Sequence, residues 1–117
     1  MTWEDNLTLV RMADQAGIEA LLPVGRWKGY GGKSNFNNRT FETLTWAAAV
    51  AAVTRFSTIF ATIHAPVVHP VAAAKMAATI DHVSGGRFAL NLVAGWFQDE
   101  FDMFGVKLEP HSERYDY

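Results

Sequence analysis

The chain of 117 residues contains no cysteine, which excludes disulfide bonds, thiolate nucleophiles and cysteine-based metal sites. Its formal net charge is only -2, so it has no strong field that would attract nucleic acid or an anionic membrane. The apolar runs are short, and the start, MTWED, is acidic and lacks the basic-then-apolar layout of a signal peptide. We therefore expect a cytoplasmic protein with no nucleic-acid or membrane partner.

What is present is an ordinary globular composition, 50% hydrophobic and 19% charged, which favours one packed unit. Apolar periodicity predicts helices with Gly17 as the C-cap of the first and Thr40 as the N-cap of the second. The predicted helices cover residues 2–17, 40–54 and 70–83, and the predicted strands cover residues 18–24, 57–63 and 88–93. The tail from residue 97 is predicted to contain a helical piece over 100–104 and the start of a helix at 114–117.

The predicted order α-β-α-β-α-β, with strands that are apolar almost throughout, is typical of a parallel sheet in the α/β class. A complete (β/α)₈ barrel needs about 250 residues. We therefore interpret residues 1–117 as a partial TIM-barrel domain, an internal piece without the first strand and the C-terminal half. The alternative is a small doubly wound sheet.

Parallel strands place the loops after their carboxyl ends on one rim, where the active sites of α/β enzymes lie. Here those loops cover residues 25–39, 64–70 and 94–108. They carry Arg26, Lys28, Lys33, His64, His69, Trp96, Gln98 and Glu100. The Ser84-Gly85-Gly86 turn falls on the opposite rim, so we interpret it as a helix end rather than a phosphate cradle.

Asn91 is a polar residue in the middle of an apolar strand, where an unpaired amide costs about 1–3 kcal/mol. Alternation predicts Ala89, Asn91 and Val93 on one face, with the larger apolar residues on the other. Two interpretations remain open. Either Asn91 points into the barrel and binds a ligand there, or it pairs with a neighbouring strand.

The remaining candidates have both structural and functional interpretations. His64 and His69 match no metal-ligand spacing, so we expect no metal site and take hydrogen bonding as the default role of each. Glu100, with Asp99, either forms a polar pocket wall near Trp96 or is merely solvated. Arg114 either binds a phosphate through charge-assisted hydrogen bonds or is an exposed helix residue.

Several motifs resemble the bacterial luciferase-like flavin-dependent monooxygenases. They are MAATIDHVSGGR at residues 76–87, NLVAGW at 91–96, RYDY at 114–117 and GYGG at 29–32. The chain is most similar to the group that holds the pyrimidine, dimethylsulfone and alkanesulfonate monooxygenases. The resemblance extends over nearly the whole chain, and residues 76–96 are specific to the family but not to a substrate.

The resemblance implies a (β/α)₈ barrel that uses reduced FMN (FMNH₂) and O₂ to insert one oxygen atom into a small organic substrate, such as a pyrimidine, sulfone or sulfonate. A transient flavin reductase would supply the reduced flavin from NAD(P)H, and the protein would form a homo-oligomer. Carried over by position, the FMN contacts fall on Gly25, Arg26, Asn91, Glu100, Arg114 and Tyr115. His64, His69 and Trp96 are candidates for the substrate side, and no catalytic residue is identified. We expect the incomplete barrel alone to be inactive as an enzyme.

Two other interpretations remain. The first is an oxidoreductase of the same superfamily that uses a deazaflavin for hydride transfer. The second is a non-enzymatic, self-associating half-barrel remnant, since the incomplete barrel that we predict would expose sheet edges and apolar surface.

Overall fold

The computed structural model describes residues 2–116 and contains a three-stranded, fully parallel sheet in the order β1-β2-β3. The helices and strands are α1 (Trp3–Gln15), β1 (Ala20–Leu21), α2 (Thr43–Val53), β2 (Thr58–His64), a short 3₁₀ turn (Ala65–Val67), α3 (Pro70–Ser84), β3 (Phe88–Val93), α4 (Gln98–Phe104) and α5 (His111–Arg114). The predicted α/β class and the alternating order are confirmed. Within residues 2–116, no helix is both long and apolar enough to span a membrane.

Glycine marks the ends of two helices, although the C-cap of α1 is Ala16 and not Gly17 as predicted. After α1, Gly17 adopts a left-handed φ of +79°. Its N–H donates to the Asp14 carbonyl, and the Ile18 N–H donates to the Ala13 carbonyl, as in a Schellman motif. Gly85 ends α3 in the same way with φ +67°. The Ser-Gly-Gly segment is therefore a helix end, as predicted.

The predicted N-cap of α2 is wrong. Glu42, not Thr40, caps this helix, and its carboxylate accepts hydrogen bonds from the N–H groups of Leu44 at 2.9 Å and Thr45 at 2.7 Å. A carboxylate at this position satisfies two orphan donors and also interacts favourably with the helix dipole. The hydroxyl of Thr40 instead donates to the Arg26 carbonyl at 2.9 Å and fixes the preceding loop.

Other boundaries also differ from the predictions. β1 has two residues instead of seven, because it pairs only with β2 and Pro23 lacks the N–H that would extend a ladder. β2 includes His64, which was predicted to lie in a loop. α4 starts two residues earlier than predicted. Arg114 ends α5 instead of beginning a helix, and Tyr117 lies outside the described residues.

One face of the sheet forms the core. Ile59, Ala61 and Ile63 of β2 point to this face and pack against α2 and α3. The register pairs Thr62 with Asn91, which places both on the opposite, open face. Leu92 of β3 lies on the same face as Ile63, but the helices do not cover it there, and it is 64% exposed. The predicted alternation of β3 is confirmed, and its smaller side chains face away from the helices.

Side-chain hydrogen bonds fix the amino-end rim of the sheet. The Asp14 carboxylate accepts from the backbone N–H groups of Arg55, Phe56 and Ser57 at 2.8–2.9 Å. The Arg87 guanidinium donates to carbonyls at the end of α2, in the turn that follows it and at the end of α3. This rim is therefore used for structure, which leaves the carboxyl-end rim for a ligand.

Replacing Asp14 by Asn is expected to lower the free energy of unfolding by about 1–2 kcal/mol, because three N–H groups then share a neutral acceptor. Burial raises the pKa of Asp14, but the N–H donors of Ser57, Arg55 and Phe56 outweigh it and lower this pKa to about 2. Since the folded pKa lies below the unfolded value, the stabilisation is present above about pH 4 and is lost as the pH falls towards 2.

Urea unfolding between pH 2 and 7 checks this expectation, with Asp81→Asn, an exposed acid on α3, as the control. The Asp14 variant should lose stability at pH 7 and show a flatter acid limb than the unaltered chain. Equal stability of the two variants at pH 7 would contradict the assigned role of Asp14.

Candidate functional site at the carboxyl ends of the strands

A concave pocket of about 290 Å³ lies at the carboxyl ends of the three strands, on the open face of the sheet. Its lining comes from the segment after β1, from the ends of β2 and β3, and from the loop after β3. The lining residues are Leu22, Pro23, Val24, Gly25, Arg26, Thr62, His64, Asn91, Val93 and Trp96. The fold thus brings together five of the residues that the sequence singled out, although up to 71 positions separate them along the chain.

Glu100 of α4 is the buried acid next to this pocket. Its side chain is only 3% exposed, and one carboxylate oxygen accepts a hydrogen bond from Arg26 Nη1 at 2.9 Å. The other oxygen accepts from the backbone N–H of Trp27 at 2.7 Å. A second ion pair, Lys28 to Asp99 at 2.7 Å, joins the same two segments at the surface. These contacts clamp the loop after β1 onto α4.

His64 lies at the end of β2, with Nε2 3.8 Å from a carboxylate oxygen of Glu100 and a side chain 5% exposed. Burial lowers the pKa of His64, Glu100 raises it and Arg26 lowers it, with a net decrease from the ordinary value. The imidazole is therefore neutral at pH 7. It provides one donor and one acceptor to the pocket wall instead of a positive charge.

The pairing of Asn91 with a neighbouring strand is confirmed, whereas its binding of a ligand stays a prediction. Its Nδ2 donates to Thr62 Oγ1 on the neighbouring strand at 3.1 Å, and its side chain also lines the pocket. The Thr62 carbonyl in turn accepts from Thr43 Oγ1 at 2.6 Å, which ties this pair to the start of α2. One hydrogen bond uses a single donor of an amide that has two donors and a carbonyl acceptor.

Two glycines allow the backbone to approach this site closely. A Cβ on Gly25 would lie 2.9 Å from the Cβ of Thr62. Gly95 has φ +76°, and a Cβ there would lie 2.5 Å from the ring of Phe101. The left-handed turn at Gly95 directs the chain from β3 to Trp96. A side chain at position 25 would displace Thr62 of the pocket lining, and one at position 95 would collide with the buried Phe101.

Arg114 of α5 joins the same region through its Nη1, which donates to the Gly95 carbonyl. Its Nε is buried and has no hydrogen-bond partner among the described residues. A buried, unsatisfied N–H of a cation is costly and points to an acceptor that the protein itself does not supply.

The structure does not bring every candidate into the pocket. His69 is the N-cap of α3, where its Nδ1 accepts from the Val71 N–H at 3.2 Å, and it is absent from the pocket lining. Tyr115 is 71% exposed and its ring contacts that of His111. Among residues 2–116, no cluster of three or more His, Cys, Asp or Glu side chains could hold a metal ion.

The sequence singled out Trp96, but sequence reasoning missed the other aromatic rings that pack beside it at the pocket. The rings of Phe36, Tyr30 and Trp96 form a series of near-parallel stacks, which we call the ring series. Phe97 tilts against Tyr30 and Trp96 at centroid distances of 5.5 and 5.6 Å. The signal available in the sequence was the density of aromatics in two loops that end on the same rim.

The family model described as luciferase-like monooxygenase matches residues 1–117. The chain belongs to the luciferase-like monooxygenase family. Among curated relatives, the pyrimidine monooxygenase RutA of Enterobacter sp. (strain 638) is 40% identical over 118 residues, which cover 99% of this chain and 32% of RutA. The chain spans about a third of the length of the curated relatives that it matches.

Solved structures share the fold of this chain. Monooxygenase RslO1 from Streptomyces bottropensis superposes with a TM-score of 0.79 at 28% identity, covering 97% of this chain and 33% of that one. Riboflavin lyase RcaE, solved with modified FMN and riboflavin, has a TM-score of 0.86 at 22% identity over 98% of this chain and 28% of its own. The three parallel strands and their helices are thus part of a TIM barrel, as predicted.

Proposed function

We propose that this protein is a monooxygenase that uses reduced FMN and O₂ to insert one oxygen atom into a small organic substrate. The observation that carries the proposal is the convergence of Gly25, Arg26 and Asn91 in one pocket, with Glu100 bound to Arg26 and Arg114 bound to the Gly95 carbonyl. The resemblance to the family implies flavin contacts at all five positions. The alternation of helices and strands explains how the chain brings these positions together.

Three features of the chain fit a flavin mononucleotide. The Asn91 amide, set in an otherwise apolar strand, offers donors and an acceptor to the polar edge of a ring system. The unsatisfied Nε of Arg114 suits an anionic oxygen, such as one from a phosphate. The glycine at position 25 lets the backbone of the loop after β1 pack directly against Thr62 in the pocket lining, where a Cβ would lie 2.9 Å from the Cβ of Thr62.

When bound, reduced flavin supplies the electrons and the site of O₂ activation, and the protein supplies binding, orientation and exclusion of water. This division suits a site without a catalytic triad or a free carboxylate pair. Glu100 holds Arg26 and the Trp27 backbone in place, and His64 adds a neutral polar wall. In this account a separate flavin reductase that uses NAD(P)H delivers the reduced flavin, and the enzyme acts as a homo-oligomer.

The relatives support a choice of the first substrate to test. RutA is named a pyrimidine monooxygenase, and it is 40% identical to this chain. We therefore propose a pyrimidine as the first substrate to test, followed by sulfones and sulfonates. Trp96 and His64 lie on the pocket wall where they can contact such a substrate, whereas His69 has a structural role at the start of α3.

A hybrid enzyme tests the proposal. Residues 1–117 replace the matching segment of Enterobacter RutA, and the hybrid receives FMN, NADH, a flavin reductase, uracil and ¹⁸O₂. We expect product that carries one ¹⁸O atom. Asn91→Leu in this hybrid should weaken FMN binding by about tenfold or more, because it removes the polar groups of the strand and leaves Thr62 Oγ1 without its donor.

The matched control is Gln15→Leu, which makes the same change from amide to leucine at an exposed position at the end of α1. It should leave FMN affinity and ¹⁸O incorporation unchanged. A hybrid that folds and binds FMN like RutA but incorporates no ¹⁸O would contradict the proposed reaction. Equal FMN affinity of the Asn91→Leu hybrid and the unaltered hybrid would contradict the role of Asn91.

A further inference from the structure

We infer that the ring series Phe36, Tyr30 and Trp96 is a stacking surface for a planar, uncharged ring of the substrate. This inference rests on the proposed function and narrows its substrate class. It favours unsaturated ring compounds over aliphatic sulfonates and alkanes.

The rings of the series are near-parallel, and the two outer rings are largely exposed. Tyr30 and Phe36 are 6.2 Å apart with 17° between their planes, and Tyr30 and Trp96 are 5.9 Å apart with 18°. Trp96 is nevertheless 58% exposed, and Phe36 is 65% exposed. Adjacent exposed aromatic rings form an apolar patch of the kind that marks a ligand-binding surface. Near-parallel rings are suited to accept a further flat ring at the end of the stack.

The ring series is also held in place before any ligand arrives. The Arg26 guanidinium lies 5.1 Å from the ring centre of Trp96 and 5.5 Å from that of Tyr30. Arg26 is itself fixed by the buried Glu100 carboxylate. Because the cation is anchored on one side and contacts two rings on the other, ordering these rings costs little at the moment of binding.

Two of the cations in the ring-bearing loop already have carboxylate partners and are not available to an anionic ligand. Arg26 is neutralised by Glu100 at 2.9 Å, and Lys28 is neutralised by Asp99 at 2.7 Å. The two cations that join the ring-bearing loop to α4 therefore have carboxylate partners already. A sulfonate at the ring series would have to compete with these carboxylates, whereas an uncharged ring would not.

The position of Trp96 connects the ring series to the proposed reaction site. Trp96 lines the 290 Å³ pocket together with Thr62 and Asn91. A planar ring stacked at this end of the series would thus lie beside the residues that we propose to hold the flavin. The stacking surface therefore orients the substrate at the reaction site.

The test uses the whole 117-residue chain labelled with 5-fluorotryptophan and observed by ¹⁹F NMR. The chain contains four tryptophans, so four resonances are assigned by single substitution to Phe. Uracil is the planar, neutral probe. Dihydrouracil keeps the same polar groups but is saturated and puckered, and hexanesulfonate is the anionic probe. We expect uracil to shift the Trp96 resonance and to bind about tenfold more tightly than either control compound.

Variants separate stacking from general structure. Trp96→Leu should weaken uracil binding by about tenfold, measured by calorimetry, while Trp96→Phe should retain most of it. Phe56→Leu replaces an exposed aromatic residue in the turn before β2, on the opposite rim, and should have no effect. Circular dichroism confirms that each variant is folded before it is titrated.

The outcomes distinguish this inference from the proposed function, because FMN is titrated separately on the same samples. If FMN binds but uracil, dihydrouracil and hexanesulfonate bind equally or not at all, the stacking surface is wrong and the flavin site stands. If uracil shifts Trp96 while FMN does not bind, the stacking surface stands and the proposed cofactor is wrong.

Discussion

Replacing Glu100 by Gln is expected to lower the free energy of unfolding by about 3 kcal/mol, a large part of the stability of a small domain. The reason is that Arg26, whose side chain is 13% exposed, would keep its charge and lose the buried carboxylate that neutralises it. Because the glutamine amide has a single oxygen, its Nε2 would also face one of the two donors, either Arg26 Nη1 or the Trp27 N–H. Chemical denaturation at pH 7 measures the loss.

Two further variants make this expectation specific. Asp99→Asn breaks the exposed Lys28–Asp99 pair, whose side chains are 49% and 48% exposed, and should cost less than about 1 kcal/mol. Adding Arg26→Met to Glu100→Gln removes the unpaired cation and should recover most of the lost free energy of unfolding. If Glu100→Gln and Asp99→Asn cost the same, the buried pair does not clamp the loop as we describe.

Replacing Gly95 by Ala is expected to cost about 3 kcal/mol. A left-handed φ accounts for about 1 kcal/mol of this, and overpacking against the ring of Phe101 accounts for the remainder. The ring cannot retreat easily, because Phe101 is only 1% exposed. The turn that positions Trp96 would shift with it, so the variant should also lose the ¹⁹F response of Trp96 to uracil.

Gly17→Ala is the matched control for the steric contribution. Gly17 has a similar φ of +79°, but a Cβ there would meet nothing within 4 Å. Thermal and urea unfolding of the two variants should therefore differ by about 2 kcal/mol. Equal losses would show that only backbone conformation matters at position 95 and that Phe101 yields to the methyl group.

Much of the fold was predictable because local signals and packing agree. Glycine at positions 17 and 85 marked two helix ends, and the alternation along β3 placed Asn91 on the face away from the helices. The length of β1 was not predictable in the same way. An apolar run indicates a strand, but the number of residues that pair depends on the neighbouring strands and on the missing N–H of Pro23.

The candidate site was predictable residue by residue but not in its contacts. The sequence indicated Arg26, Glu100 and His64 as rim residues, yet nothing in their spacing shows that all three meet at one pocket. His69 has the same chemistry as His64, but it caps a helix because it directly precedes Pro70 at the first helical position. The ring series depends on two loops that approach each other only after folding.

The most direct test of the proposed flavin site is an FMN titration of the ¹⁵N-labelled chain, monitored by the NMR chemical shifts of assigned backbone amides. We expect FMN to perturb the amides of Gly25, Asn91 and Gly95 at the carboxyl-end rim and to leave those of Gly17 and Gly85 unchanged. Perturbations confined to the opposite rim, or none at any FMN concentration up to saturation of RutA under the same conditions, would contradict the proposed flavin site.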